Sequence, residues 1–543
     1  MGTAHKQPWY QNAVLYHIYP LSFADSNGDG FGDLRGILQH LDYLQDGTAG
    51  SLGVQAIWLS PIYVSPMADW GYDVADYRAI DPRFGTMDDF DQLLAEVHRR
   101  GMRLLMDYVP NHTSIEHAWF RAARSSRRHP KRNWYIWSDP APDGGPPNNW
   151  LSYFGGPAWT LDESTGQYYL HTFLPEQPDL NWRNPQVRRE MLDVLRFWLN
   201  KGVDGFRTDA VYNLLKDPEW RDDPPNPSYR PGLSDPAERF LRVHSAGQAE
   251  LPQLIGSFCD ILSEKPGSFL LSEAYLNIPD LHKLYEACKR HPVHAPFNFN
   301  LMSLSWGASY YRSFIDEYEA SLGPHDWPNY VLGNHDRHRL VTRIGEARAK
   351  LLAILQLTLR GLPVIYYGEE LGLSDVNIPT KLLRDPWEKR VPGMGLGRDG
   401  ARTPLPWTGS GEGFTTNEPW LPLGRNVVNH NVKLEDRDPG SFLSLYRHLI
   451  HLRTVMPALA DGAYRSLVSD NPYVYAYLRE TPLQRVVVVL NFDAHAAKVT
   501  LSEWLGGWVA GTHEVMGDGE VLGGSTIELK GYEGRVYEVM KQR

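Results

Sequence analysis

From residue 13 to about 370 the chain repeats one pattern: a short apolar run, a polar loop, a stretch with apolar residues at helical spacing, a glycine and another apolar run. The junctions HRRGMRLLMDYVP, LNKGVDGFRTDA and LRGLPVIYYGEE each predict a helix that ends in basic residues and a Gly C-cap, followed by a strand. The helix before Gly202 is the clearest. Asn184 can cap it, Pro185 suits its first turn, and Val187, Met191, Leu192, Leu195, Trp198 and Leu199 form one apolar face. Eight strands are predicted: Val14 to Tyr19, Val54 to Ser60, Met102 to Val109, Val203 to Asp209, Phe269 to Glu273, Ala295 to Asn300, Tyr330 to Leu332 and Pro363 to Tyr367. Strands alternating with helices make a parallel sheet, and eight units predict a (β/α)8 TIM barrel with its functional residues at the C-terminal strand ends. A doubly wound open sheet is disfavoured, because no Gly-rich dinucleotide fingerprint follows the first strand.

Two segments break the pattern. About 75 residues rich in Trp, Tyr, Pro and Gly separate the third strand from Pro185, where an ordinary loop has roughly 2 to 6. An irregular stretch from about 373 to 428 follows the eighth strand. From roughly 463 the period changes to two, as in YVYAYLRE and QRVVVVLNF. The predicted domains are a barrel of residues 1–108 and 185–462, an inserted domain of residues 109–184, and a C-terminal antiparallel β-sandwich of residues 463–543.

Composition narrows the partners. With 543 residues, 42% apolar and 22% charged, the chain reads as a soluble multidomain protein. A net charge of -11 argues against nucleic acid and anionic membrane. No apolar stretch approaches a membrane span, and MGTAHKQPWYQNAV lacks a secretory pattern, so a cytoplasmic protein is expected. Only Cys259 and Cys288 are present, a sparse count that fits a reducing compartment and predicts two free, buried thiols. The 18 Trp and 29 Tyr are a weak hint of sugar binding, since flat rings suit the C–H faces of sugars.

Chemistry collects at the strand ends. The third offers Asp107, Asn111 and His112; the fourth Arg207 and Asp209; the fifth Glu273; the seventh Asn334, His335 and Asp336. Any one such aspartate is more often a helix cap, but four strands converging on carboxylates, imidazoles and a guanidinium describe a site. Arg207 and Asp209 lie two apart on a strand and so face one side, where the cation would keep the carboxylate ionised and nucleophilic. Glu273 on the next strand would stay protonated through less polar surroundings and the charge of Asp209. Such a pair suits retaining glycoside hydrolysis, in which one carboxyl attacks the anomeric carbon and the other protonates the leaving oxygen.

DSNGDGFGDLRGI, residues 25–37, resembles the start of an EF-hand, but Gly36 stands where the bidentate Glu should be, so an ordinary EF-hand is not expected.

DYVPNHTS, GFRTDA, LLSEAY and LGNHD resemble, in order and spacing, the four conserved regions of the α-amylase superfamily, glycoside hydrolase family 13. QPDLNW is similar to the fifth region of its oligo-1,6-glucosidase and α-glucosidase subgroup, and DSNGDGFGDLRGI to that subgroup's metal loop. The resemblance implies Asp209 as nucleophile, Glu273 as general acid and base, and Asp336 as the carboxylate that holds sugar hydroxyls in the distorted ring. His112 and His335 would hydrogen-bond the same glucose, Arg207 would orient Asp209, and Phe173 would form an aromatic wall. Asp69 and Tyr72 resemble the motif that closes the non-reducing end in exo-acting members, with Arg398 or Arg402 as the clasping arginine. Asp25, Asn27, Asp29, the carbonyl of Phe31 and Asp33 would hold a structural Ca²⁺ or Mg²⁺.

The implied activity is an exo-acting retaining α-glucosidase that releases glucose from maltose and short oligosaccharides with some transglycosylation, acting as a monomer or homodimer. Ala210, smaller than the Val of members preferring α-1,6 bonds, favours α-1,4 bonds, with sucrose and α-1,6 linkages as further substrates; the loop from Lys216 to Glu238 could overrule it. The alternatives are a transglycosylase or isomerase resembling trehalose synthase or amylosucrase, and, remotely, a non-catalytic transporter-subunit relative. The latter lack catalytic carboxylates and carry a span, whereas this chain keeps all three carboxylates.

Overall fold

The computed structural model describes residues 8–291, 293–410, 413–500, 513–516 and 526–539. Eight parallel strands form its central sheet: β1 (Leu15–Ile18), β2 (Ala56–Leu59), β3 (Arg103–Tyr108), β4 (Gly205–Thr208), β5 (Phe269–Ser272), β6 (His294–Pro296), β7 (Asn329–Val331) and β8 (Leu362–Tyr366). They pair in the order β6-β5-β4-β3-β2-β1-β8-β7. The seam between β6 and β7 is joined by a side chain: Asn329 donates through Nδ2 to the Pro296 carbonyl and accepts the Asn298 N–H at 2.9 Å. The sheet therefore curls into the predicted TIM barrel.

Helices α1 (Leu34–Gln39), α2 (Met87–Arg99), α3 (Pro185–Lys201), α4 (Leu251–Ser263), α5 (Ile278–Ala287), α6 (Ala308–Ser321), α7 (Glu346–Thr358) and α8 (Phe442–Val455) follow successive strands. In α3 the predicted signals are all used: the Asn184 side chain accepts the Gln186 N–H, Pro185 opens the first turn, and Gly202 ends the helix at φ 119°. That left-handed φ is open to glycine at little cost. Strand residues are buried on both faces, between the barrel interior and the helices.

Between β3 and α3, residues 137–138, 159–162 and 167–170 build a small three-stranded antiparallel sheet. Beyond α8 a five-stranded antiparallel sheet follows, and the pair Ala497–Thr500 with Thr526–Leu529 packs on it through its own apolar cluster, including Leu478, Val487, Val499 and Ile527.

The cysteines depart from expectation. Cys259 on α4 and Cys288 directly after α5 form a disulfide, with Cα atoms 5.9 Å apart. Sequence counts report a compartment's average, whereas these two thiols are brought together by the packing of consecutive barrel helices. The case for a reducing compartment loses its support. Among the described residues, no helix is long and apolar enough to cross a membrane.

Candidate active site

Of the predicted strand-end residues, His112, Asp209, Glu273, His335 and Asp336 line one cavity of about 290 Å³. Register explains the first contacts. Asp107 on β3 lies opposite Arg207 on β4, so both side chains leave the same face, and Asp209 follows two residues later. Arg207 is buried, with Nη1 at 2.9 Å from Asp107 Oδ1 and 2.7 Å from Asp209 Oδ1, and Nη2 at 2.7 Å from Glu273 Oε2. Glu273 stands just past β5. Its Oε2 also accepts the N–H of Ala210 at 2.9 Å, which is aimed there by a left-handed backbone at φ 46°. For a residue with a Cβ such a backbone costs about 1 kcal/mol or more, a strain that marks functional turns.

The electrostatics correct one expectation. Burial pushes the Asp209 carboxyl well above the usual range; Arg207 opposes this, and Glu273 and Asp107 reinforce it. Burial likewise raises Asp107 to about 6 against the pull of Arg207. One guanidinium shared by three carboxyls is not enough to strip all of them of protons, so the cluster retains a proton that belongs to the group as a whole. Nor is Glu273 in the less polar surroundings expected, because its Oε2 receives two N–H donors.

Asp336 is the ionised member. Burial alone would raise it, but His335, Arg398 and Arg402 outweigh that and hold it well below the carboxylate range. Burial keeps His335 itself neutral, so the two guanidiniums carry the effect. Arg398 Nη1 and Arg402 Nη2 lie 3.1 and 2.9 Å from Asp336 Oδ1. The two arginines differ in placement. Arg398 lines the cavity and pairs with Asp69 at 2.7 Å, closing its blind end, whereas Arg402 lies behind Asp336 and donates to the His335 carbonyl.

Tyr72 stacks on His335 with ring centres 5.2 Å apart and donates to Asp107 Oδ2 at 3.0 Å. His112 packs edge-on against Phe173 at 5.1 Å, and both line the cavity. Burial lowers the pKa of His112 to about 4, so it is neutral.

The predicted cation loop is wound by its own side chains. Asp25 accepts N–H groups of Gly28 and Gly30 and the Thr415 hydroxyl; Asn27 accepts from Asp29, and Asp29 from Phe31. Asp33 caps α1 through the Gly36 N–H. Oxygen-only donors suit a hard cation. Among the described residues, however, the acidic, histidine or cysteine cluster with atoms mutually within 4.8 Å is Cys259, Cys288 and His294, not these three aspartates.

Three further residues shape the pocket. Asp385 grips Arg398 through Nε and Nη2, the latter at 2.7 Å. Gln177 bridges Asp69 Oδ2 at 3.3 Å and His112 Nε2 at 3.0 Å. Trp387 lines the wall. Asp385 had a sequence signal, a cap-like Asp before Pro386, but nothing tied it to Arg398.

Residues 17–462 match the α-amylase catalytic domain, and residues 464–536 the maltogenic amylase C-terminal domain. The oligo-1,6-glucosidase of Parageobacillus thermoglucosidasius is 38% identical, over 98% of this chain and 99% of that protein. The crystal structure of the α-glucosyl transfer enzyme XgtA superposes with a TM-score of 0.90 at 38% identity, covering 98% of this chain and all of the other. That of trehalulose synthase MutB from Pseudomonas mesoacidophila MX-45 gives 0.86 at 35%, with the same coverage. Matched over most of its length in sequence and in fold, the chain belongs to the α-amylase family, glycoside hydrolase family 13.

Proposed function

We propose that the protein is an exo-acting, retaining α-glucosidase that releases glucose from the non-reducing end of maltose and short α-glucooligosaccharides. The observation that carries this reading is the closed end of the cavity. Asp69 and Arg398, both buried, pair at 2.7 Å and are backed by Asp385, an arrangement that suits the clasp of one terminal glucose. The relatives support a glycosidase acting on a small carbohydrate.

Asp209 attacks the anomeric carbon while Glu273, held by the same Arg207 guanidinium, delivers the cluster's proton to the leaving oxygen. Their common hold on Arg207 places the two carboxyls beside one another, which supports the covalent, retaining version of the mechanism. As Asp209 becomes an ester its charge disappears, and Arg207 then favours the ionised Glu273 that activates water. Asp336 stays anionic throughout and stabilises the cationic ring, with His112 and His335 as neutral hydrogen-bonding groups.

Ala210 lines the cavity beside Asp209 and leaves room on the leaving-group side, which supports α-1,4 bonds as preferred. Residues 25–33 supply the oxygen ligands for a structural Ca²⁺ or Mg²⁺ that would brace the loop after β1, once their carboxylates converge from the present turn arrangement. Chromatography of products from maltose, isomaltose, sucrose, maltotriose and starch tests the reading. Glucose from the short substrates, with starch poorest, supports it; trehalose, isomerised sucrose or a lengthening glucan contradicts it.

A further inference from the structure

The cavity has two unlike ends. Its blind end is buried, with Asp69 4% and Arg398 6% exposed, whereas at the other end Tyr275 is 46% exposed and Arg337 beside it is also exposed. The Arg337 guanidinium stands 5.1 Å from the centre of the Tyr275 ring. That ring is fixed by stacking on Phe299 at 4.4 Å and by a 3.0 Å hydrogen bond from Asn334 to its hydroxyl. A second guanidinium, that of Arg242, lies 3.7 Å over Tyr153, another tyrosine of the cavity wall. Arg242 donates through Nη1 to the Leu151 carbonyl at 2.9 Å, and its buried Nη2 has no hydrogen-bond partner.

Among the described residues, no ion pair within 4.0 Å joins Arg337 or Arg242 to a carboxylate. Asp235 is the acid that feels both of them, and it spends Oδ1 on the Ala237 N–H. Deeper in, the charge of Asp336 is already met by Arg398 and Arg402, and that of Asp209 and Glu273 by Arg207. One carboxylate against two guanidiniums leaves the mouth with a positive excess. Guanidiniums resting on aromatic rings are pre-positioned, and their planar forks match carboxylate and phosphate oxygens.

We infer that the leaving-group side of this site takes glucosides whose leaving group bears an anion, a carboxylate or a phosphate monoester, held by Arg337 and Arg242. The inference rests on the glucosidase reading above. The chemistry is unchanged: the bond from C1 to the glycosidic oxygen breaks, water supplies the hydroxyl kept by glucose, and its remaining proton goes to the departing alcohol.

The test uses the full-length enzyme and matched aryl α-glucosides differing only at the para position: carboxylate against carboxamide, and phosphate monoester against its neutral dimethyl triester. The expected result is that the charged-to-neutral ratio of kcat/KM falls about tenfold in Arg337→Gln, and further when Arg242→Gln is added. Comparing ratios between variants cancels the intrinsic reactivity of each phenol. In the unaltered enzyme the same ratio should fall as sodium chloride is raised, a readout that needs no variant to fold. The two arms show which anion is preferred. A ratio indifferent to both arginines and to salt overturns the inference while leaving the glucosidase reading intact. Failure of the unaltered enzyme to release glucose from any of these substrates overturns both.

Discussion

Arg207 Nη2 lies 2.7 Å from Glu273 Oε2, so the proposed acid hangs on the same guanidinium that holds the proposed nucleophile. Asp107 is the third claimant on that charge and one of the groups that raise Asp209. Removing its charge in Asp107→Asn deletes a negative neighbour and frees Arg207 for Asp209, and both effects lower the Asp209 pKa. The acid limb of the kcat/KM profile, which reports ionisation of the free enzyme, should therefore lie above the ordinary aspartate range of about 4 in the unaltered enzyme and move to lower pH in the variant. A limb that stays put or moves up contradicts the shared-guanidinium account.

Arg398 is surrounded by Asp69, Asp336 and Asp385, all largely buried. Arg398→Ala leaves Asp69 and Asp385 without their cation and Asp336 with Arg402 alone, at an expected cost of about 3 to 5 kcal/mol in urea unfolding. Asp385→Asn keeps two of the three pairs and should cost less. Its functional signature is a KM for maltose raised more than kcat is lowered, because Asp385 aims Arg398 without touching the reacting carbon.

Burial lowers the pKa of His294, hydrogen-bonded to Ser272 at 2.6 Å, to about 3. A histidine whose folded pKa is depressed adds stability above its unfolded pKa of about 6.5, and that stability is lost as pH falls toward 3. Native stability should decline over this window with a contribution from His294 of up to about 1.4 kcal/mol per pH unit. His294→Gln should flatten the slope in urea titrations run at several pH values.

The Cys259–Cys288 bridge closes a loop across a sequence separation of 29. A loop of that size stabilises the fold by about 3.6 kcal/mol through the unfolded chain. Reductant should lower the urea midpoint of the native protein, and Cys259→Ser should abolish that response. An equal midpoint with and without reductant refutes the bridge.

The barrel was legible in sequence because its signals are local: apolar runs, caps such as Asn184 and stops such as Gly202 appear within a few residues of what they control. The strand-end residues were legible for a related reason, since period two places Arg207 and Asp209 on one face. Contacts between distant loops were not. The choice of Arg398 over Arg402 for the blind end depends on a fold-back of 329 residues to Asp69, and the grip of Asp385 on Arg398 leaves no periodic trace. The cysteines failed for the same reason, because counting thiols says nothing about helices that pack side by side. The expectation that Arg207 keeps Asp209 ionised fails because the depth of burial around Asp209 leaves no trace in sequence, and because Asp107 and Glu273 compete for the same cation.

The central claim is that glucose passes through an ester on Asp209, formed with help from Glu273. A slow-reacting fluorinated α-glucosyl fluoride should trap that ester, and peptide mass spectrometry should place one added fluoroglucosyl group on the peptide containing GFRTDA, with fragmentation assigning it to Asp209. No adduct in Asp209→Asn under the same conditions completes the expected result. A trapped sugar on any other residue, or undiminished turnover in Asp209→Asn, would contradict the account.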